Sequence, residues 1–289
     1  MRTITRRRFM SVCATASAFS AMPWMNALAS APLHRWNGIL LGAEVSLTLA
    51  HPSKTKANQL FETCVREIKR LENIFTLYDS YSELSRLNAE GILQNPSSEI
   101  VDILEQSRLY HDMTEGAFDI TVKPLEDGKS LDLVGMDKLQ IDQNEIRFQK
   151  RGMGITLNGI AQGYITDRIT ELLKAEGLQN ILVELGEKRT IGHHPTGRPW
   201  RLTLEGQKDP VSLVNHALAT SAARNPMMDK HHIFTPSNGH YAKKYDTISV
   251  VADNAVMADA LSTGFLSLDL QEIEKIKKHH PAVKIVYTT

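Results

Sequence analysis

Leu157-Asn158-Gly159-Ile160-Ala161-Gln162-Gly163-Tyr164 decides how the rest of the chain reads. Before it, residues 154–157 are β-prone; after it, apolar residues recur at helical period as far as Ala175. The pattern predicts a strand running into a helix over 159–175, with Asn158 as its cap and Gly177 as its stop. Glycines, having no Cβ, let another group approach the backbone closely. A helix start offers unpaired N–H groups and the positive end of a dipole, which suits a phosphate. The same turn also serves a purely structural purpose, and the pattern alone leaves both readings open. It is neither a P-loop nor a dinucleotide fingerprint, because the Lys-Ser/Thr pair and the G-x-G-x-x-G spacing are missing.

Working outward, residues 38–49 alternate and predict one strand. Leu60, Phe61, Cys64, Ile68, Leu71 and Phe75 are spaced by three and four, which predicts an amphipathic helix over 57–77. A second helix is expected over 98–114, short strands over 118–122 and 146–148, and a polar connection over 124–142 between them. Beyond the central helix, strands are expected over 181–185, 200–204, 211–214, 232–234 and 247–251. Helices over 254–268 and 270–279 and a closing strand over 283–287 complete the chain. Strands are not separated by regular helices, so the fold class is α+β, with mixed or antiparallel sheets and flanking helices, rather than doubly wound.

Composition fits this. The 289 residues are 42% hydrophobic and 23% charged, which excludes collagen, a disulfide scaffold, a coiled coil and a disordered chain. No uninterrupted apolar run reaches the ~18 residues of a membrane span, so a multi-span membrane protein is excluded. Lys+Arg and Asp+Glu number 33 each, and this balance gives no argument for nucleic acid. Residues 1–29 stand apart: they hold Arg2, Arg6, Arg7 and Arg8 and no acid. Thr5-Arg6-Arg7-Arg8-Phe9-Met10 resembles a twin-arginine export motif, an apolar stretch follows over 9–24, and Ala27-Leu28-Ala29 reads as a cleavage site. The expectation is a leader over 1–29, engaged transiently by the twin-arginine export machinery, and a soluble periplasmic protein formed by 30–289 as a single domain. That domain would carry 29 Lys+Arg against 33 Asp+Glu. It would keep only Cys64, which allows neither an internal disulfide nor a cysteine metal site. The apolar helical setting of Cys64 makes it a buried small hydrophobe.

Three further constellations could carry chemistry. In Ala258-Asp259-Ala260-Leu261-Ser262-Thr263, Asp259 and Thr263 lie four apart on one helix face. Their oxygens suit a hard cation such as Mg²⁺, or equally a helix cap and a back-bond. Asp119 and Thr121 would point to one side of the expected 118–122 strand, to bind a polar group or stitch a turn. His231-His232 has no third ligand at zinc spacing, so one of the pair serves better as a general base. The pairs His193-His194 and His279-His280 sit beside prolines and read as exposed loops.

Taken in order, these segments resemble the ApbE-type FAD:protein FMN transferases. The resemblance rests on Ser80-Tyr81-Ser82-Glu83-Leu84-Ser85-Arg86-Leu87-Asn88, on GAFDITVKPL over 116–125, on NGIAQGYITD over 158–167, on Ala219-Thr220-Ser221, on 232–236, and on ADALST over 258–263. It spans roughly residues 37–270. Leu185-Gly186-Glu187 and GHHPTGRPW over 192–200 are similar to a periplasmic, NosX-like subgroup that accompanies nitrous oxide reductase maturation.

The resemblance implies an enzyme that takes FAD as substrate and Mg²⁺ as cofactor. It moves FMN onto a threonine of an exported flavoprotein, with the membrane flavoprotein of nitrous oxide respiration as a candidate acceptor. It implies metal ligands at the Gly159 carbonyl, Asp259 and Thr263, and His232 as base. It implies flavin or adenine contacts at Leu41, Tyr78, Ala117, Phe118, Asp119, Thr156, Gln162 and Ile233. Two positions depart from the family pattern: Thr156 stands where Asp is usual, and Gln162 where Lys is usual. The 124–142 segment is also shorter. A non-catalytic flavin-binding assembly factor and an FAD pyrophosphatase releasing FMN and AMP are the alternative readings.

Overall fold

The structure is a computed structural model that describes residues 31–204, 209–225, 230–281 and 283–288. The expected leader lies outside the described residues. Seven strands form one sheet, neighbours pairing antiparallel in this order: Leu33–Leu40, Ala43–Ala50, Ile181–Leu185, Glu187–Ile191, Ala217–Ala222, Thr247–Ala252 and Lys284–Thr288. Three helices, Lys54–Phe75, Ala161–Ala175 and Ala255–Phe265, pack together and against this sheet. The fold is α+β with antiparallel sheets and flanking helices.

Strand periodicity builds two layers of core. Ile181, Val183 and Leu185 join the main cluster on the helix side, with Leu60, Phe61, Ile68 and Leu71 of the first long helix. Leu182 points the other way, where Trp200, Leu202, Leu213, Leu218 and Val251 close a second cluster. A two-stranded ribbon of Trp200–Leu202 and Val211–Leu213 covers that side. Each fully buried Leu or Ile contributes about 1.5–3 kcal/mol relative to exposure. Cys64 is buried in the main cluster, and burial pushes its thiol up to about 12.

Several expectations needed correction. The single strand over 38–49 is a hairpin, because Leu41 and Gly42 adopt φ values of 55° and 72° and turn the chain. The strand expected over 154–157 has no ladder: the side-chain amide of Asn88 takes the backbone bonds of Ile155, donating to its carbonyl at 2.9 Å and accepting its N–H at 2.8 Å. The strand expected over 118–122 gives way to a 3₁₀ turn over Ile120–Val122, because Asp119 Oδ1 accepts the Thr121 N–H and hydroxyl at 2.7 and 2.6 Å. His232–Phe234 is not a strand. Lys230–His231 pairs with Arg224–Asn225, and Phe234 makes a lone bridge to Tyr241. The 124–142 connection contains the short helix Lys123–Glu126 and a strand Leu139–Ile141. Glu187–Ile191 and Ala217–Ala222 are strands the sequence reading left out.

The central helix begins at Ala161, not Gly159, and Asn158 does not cap it. Residues 158–160 form a turn. The orphan amide that a cap would satisfy goes elsewhere, to a carboxylate on another helix.

Candidate functional site

Two helix starts meet where the Ala161–Ala175 and Ala255–Phe265 helices cross. Gly163 permits the approach: a Cβ there would stand 2.5 Å from the Ala255 carbonyl oxygen and 2.8 Å from Asp259 Cβ. Each helix then caps the other. Asp259 Oδ2 accepts the Gly163 N–H at 2.9 Å. Asp167, from the first helix, accepts the Ala255 and Val256 amides of the second, each at 2.9 Å. Asn254 takes the Met257 amide at 2.8 Å, which completes the start of the second helix. The first helix is less complete. Among the described residues, the Gly159 and Gln162 amides find no protein acceptor.

Gly159 and Gln162 line a cavity of about 350 Å³. Of the expected site residues it gathers Ala117, Phe118, Asp119, Thr156, Gly159, Gln162, His232, Ile233, Asp259 and Thr263 along its wall. Leu41 and Tyr78 do not line it. Leu41 packs against the main core, and Tyr78 is 98% exposed. A larger groove of about 870 Å³ adjoins the cavity through Ala117 and Pro236 and presents Lys243, Lys244 and Lys275.

The electrostatics of the cavity are one-sided. Its wall carries the carboxyls of Asp119, Glu126, Glu187 and Asp259 and the imidazole of His232, with neither Lys nor Arg among the lining residues. Asp259 is almost sealed, and burial pushes its carboxyl up to about 7, against the pull of the Gly163 amide. The nearby charge of Asp167 pushes the same way. Burial likewise raises the Asp119 carboxyl; the Thr121 bonds and His111 oppose it. Burial lowers the His232 imidazole, the Ala223 backbone opposes that, and His231 adds to it, so His232 is neutral near pH 7 and free to accept a proton.

Hydroxyl groups complete one wall. Ser221 Oγ lies 2.7 Å from Ser262 Oγ and 3.0 Å from Thr263 Oγ1. The Gly159 backbone presses on Thr263, since a Cβ on Gly159 would lie 2.8 Å from Thr263 Oγ1. Asp259, Thr263 and Gly159 line this one cavity, and a carboxyl, a hydroxyl and a backbone carbonyl are groups that suit a hard divalent cation. Among the described residues no three His, Cys, Asp or Glu side chains form a ligand cluster.

Sequence reasoning passed over two groups here. Ser221, noted only as part of a motif, orients the Thr263 hydroxyl. Glu187, noted only as a subgroup mark, is 6% exposed and lines the cavity. Its position directly after Gly186 at a strand start was the available signal. Gly186 itself, at φ 96°, leaves room for the Gln162 side chain, which a Cβ would meet at 2.7 Å.

Known proteins share this chain's sequence pattern and fold. Residues 41–287 match the model of the ApbE family. The chain is 26% identical over 274 residues to the FAD:protein FMN transferase of Chlamydia pneumoniae, covering 84% of this chain and 85% of that one. It is 26% identical over 267 residues to the FAD:protein FMN transferase of Haemophilus influenzae, covering 77% and 76%. In fold it is similar to the flavin transferase ApbE from Vibrio cholerae, with TM-score 0.78 and 21% identity over 89% of this chain and 93% of that one. The ApbE protein from Thermotoga maritima gives TM-score 0.78 and 23% identity over 89% and 94%. A match covering most of the described chain, over a fold of the same topology, means that this chain belongs to the ApbE family.

Proposed function

We propose that this protein is an FAD:protein FMN transferase: it transfers the FMN half of FAD to a threonine hydroxyl of an acceptor flavoprotein, with Mg²⁺ as cofactor. The observation that carries the reading is the helix crossing. Beside it one cavity is lined by Gly159 and Gln162, whose amides have no protein acceptor among the described residues, and by Asp259, Thr263 and His232, which supports the reading.

The chemistry follows from what those groups do. FAD carries a diphosphate, and a cavity walled by four carboxyls would repel it. The oxygens of Asp259, Thr263 and Gly159 fit Mg²⁺, which when bound supplies positive charge for the diphosphate and for the departing phosphate oxygen. The Gly159 and Gln162 amides would hold a phosphate oxygen by donated hydrogen bonds at the helix start. His232 would accept the proton of the acceptor hydroxyl as its oxygen attacks the FMN-side phosphorus. The bond from that phosphorus to the bridging oxygen breaks, AMP leaves, and a phosphoester remains on the acceptor. Ser221 keeps the Thr263 hydroxyl oriented. The larger groove, reaching the cavity at Ala117 and Pro236, gives the acceptor segment a way in.

The finer reading has further parts. Residues 1–29 would be a twin-arginine leader and 30–289 the catalytic domain, acting in the periplasm on an exported flavoprotein. Its support is the Arg6-Arg7-Arg8-Phe9 run and the Ala27-Leu28-Ala29 site. Among the described residues no helix is long and apolar enough to cross a membrane. A place in maturation of the nitrous oxide reduction system, with its membrane flavoprotein as acceptor, rests on the Leu185-Gly186-Glu187 and 192–200 segments.

Incubating the protein with FAD, Mg²⁺ and an acceptor domain tests the reading by intact-protein mass spectrometry. The expected result is one FMN on an acceptor threonine, abolished by chelator and by Asp259→Ala. AMP and free FMN formed at the same rate without acceptor would make the protein a pyrophosphatase instead. FAD binding with no AMP released, in parallel with an active relative, would make it a flavin-binding assembly factor.

A further inference from the structure

Glu187 opens the strand Glu187–Ile191, beside the Ala217–Ala222 strand and under the two crossing helices. Its neighbour two residues on, Arg189, faces the same side and pairs with Asp167 of the central helix. Glu187 therefore looks toward the same helices, and it lines the cavity with Asp259 and Thr263. It is nearly sealed from solvent, and among the described residues Oε2 has no hydrogen-bond partner. Lys188, next in the chain, opposes burial at a distance, and the Thr220 amide is the backbone group that favours its charged form. Burial pushes the Glu187 carboxyl well up, and the charge of Asp259, on the same cavity wall, adds to it.

A buried carboxyl oxygen without a partner costs several kcal/mol in a water-filled reference and is rare in folded proteins. A second buried carboxyl, Asp259, lines the same cavity, whose wall holds neither Lys nor Arg, and that compounds the cost. A hydrogen-bonded or ion-paired structural role would leave Oε2 satisfied, as Asp167 is satisfied by Arg189 and two amides. A hard cation held among these oxygens would satisfy the Glu187 carboxyl. With Glu187 added, the set becomes two carboxylates, one hydroxyl and one carbonyl, and water can fill the remaining positions of a six-coordinate hard ion.

We propose that Glu187 is a further ligand of the divalent cation, facing Asp259 across it and reaching it directly or through one bound water. The inference rests on the proposed cation site at Asp259. Glu187 would also compensate for Gln162: where a lysine there would have met the diphosphate with its own charge, this chain would rely on a more firmly held cation.

The test is binding of the metal alone, without FAD or acceptor. Mn²⁺ is titrated into the purified protein and free Mn²⁺ is read by electron paramagnetic resonance, with Mg²⁺ competition by calorimetry. Wild type should bind one ion. Glu187→Gln, which keeps the shape and the acceptor for the Thr220 amide, should weaken binding by about tenfold or more. Glu187→Asp, which keeps the charge but withdraws it by one methylene, should fall between them and decides the matter should the Gln variant fail to fold. Wild-type affinity in both variants, with binding lost in Asp259→Asn, would overturn the role of Glu187 and leave the Asp259 site standing. Equal binding in wild type and Asp259→Asn would overturn the cation site itself.

Discussion

Asp167 and Asp259 do the same local job at opposite ends of one helix crossing, yet their surroundings differ. Each takes amide N–H groups at the start of the neighbouring helix. Asp167 takes two and is held by the Arg189 guanidinium. Asp259 takes one, has no cationic side chain beside it on the cavity wall, and looks into the hollow. Burial raises both carboxyls, but at Asp167 the arginine is the main opposing influence, whereas at Asp259 only a single amide opposes it. One end of the crossing is finished within the protein. The other has neither Lys nor Arg among the residues that line its cavity.

Mutations at the two ends should separate along that line. Asp259→Asn should cost about a thousandfold or more in FMN transfer, equivalent to about 4 kcal/mol of barrier, since it removes a charge needed only with cation and diphosphate in place. The apo protein should stay folded, as judged by circular dichroism, because an amide oxygen still accepts the Gly163 N–H. Loss of folding together with activity would break the distinction. Asp167→Ala should do the reverse. It strands the Arg189 charge and two helix amides, and urea unfolding should register a loss of about 3 kcal/mol. Retained FMN transfer in whatever fraction remains folded would place Asp167 outside the chemistry.

Gly163→Ala probes both ends at once. Alanine gains up to about 1 kcal/mol of helix propensity, but its methyl would meet the Ala255 carbonyl and Asp259. The collision should win, with a net loss of about 1–3 kcal/mol in urea unfolding and weaker Mn²⁺ binding. A stabilised variant with unchanged metal affinity would mean that the helices do not need this closeness.

The smallest expected effect is in pH. The folded Asp259 carboxyl titrates near 7, above its ordinary value of 3.8, so the folded protein holds a proton that the unfolded chain releases. In chelator, that contribution is full below about pH 4 and fades as pH rises through about 7. Asp259→Asn should flatten this part of the stability curve. Added Mg²⁺ should reverse its slope near neutrality in wild type, because the cation favours the ionised carboxylate. A curve identical in wild type and variant would remove Asp259 from the titration.

How much of this was legible depended on whether the deciding partners lie nearby in sequence. The helices Lys54–Phe75, Ser98–Met113 and Leu270–His279 were readable because apolar spacing alone fixes their buried faces. The strand Glu187–Ile191 was not, since its charges at Glu187, Lys188 and Arg189 hide a strand whose polar groups are buried or paired. Ala217–Ala222 was missed because small residues carry no alternation to read. The 154–157 segment looked like a strand and found its partner in one side chain, Asn88, 67 residues away. At the site, Asp259, Thr263, Gly159 and His232 stood out as residue types, whereas the orphaned oxygen of Glu187 is a property of burial, and burial is decided by the whole sheet. Tyr78, which the family resemblance implies as a contact, is exposed and lies outside the lining of the cavity.

The reciprocal caps have one more consequence. Sliding either helix by a single residue would move it 1.5 Å along its axis and swing its side chains through about 100°. Such a slip would pull Asp259 off Gly163 and Asp167 off Ala255 and Val256 in the same motion, and would carry Thr263 out of line with Gly159. The crossing thus works as a two-toothed ratchet. It has one setting that engages both teeth, and the oxygens that would grip an ion are aligned in that setting alone.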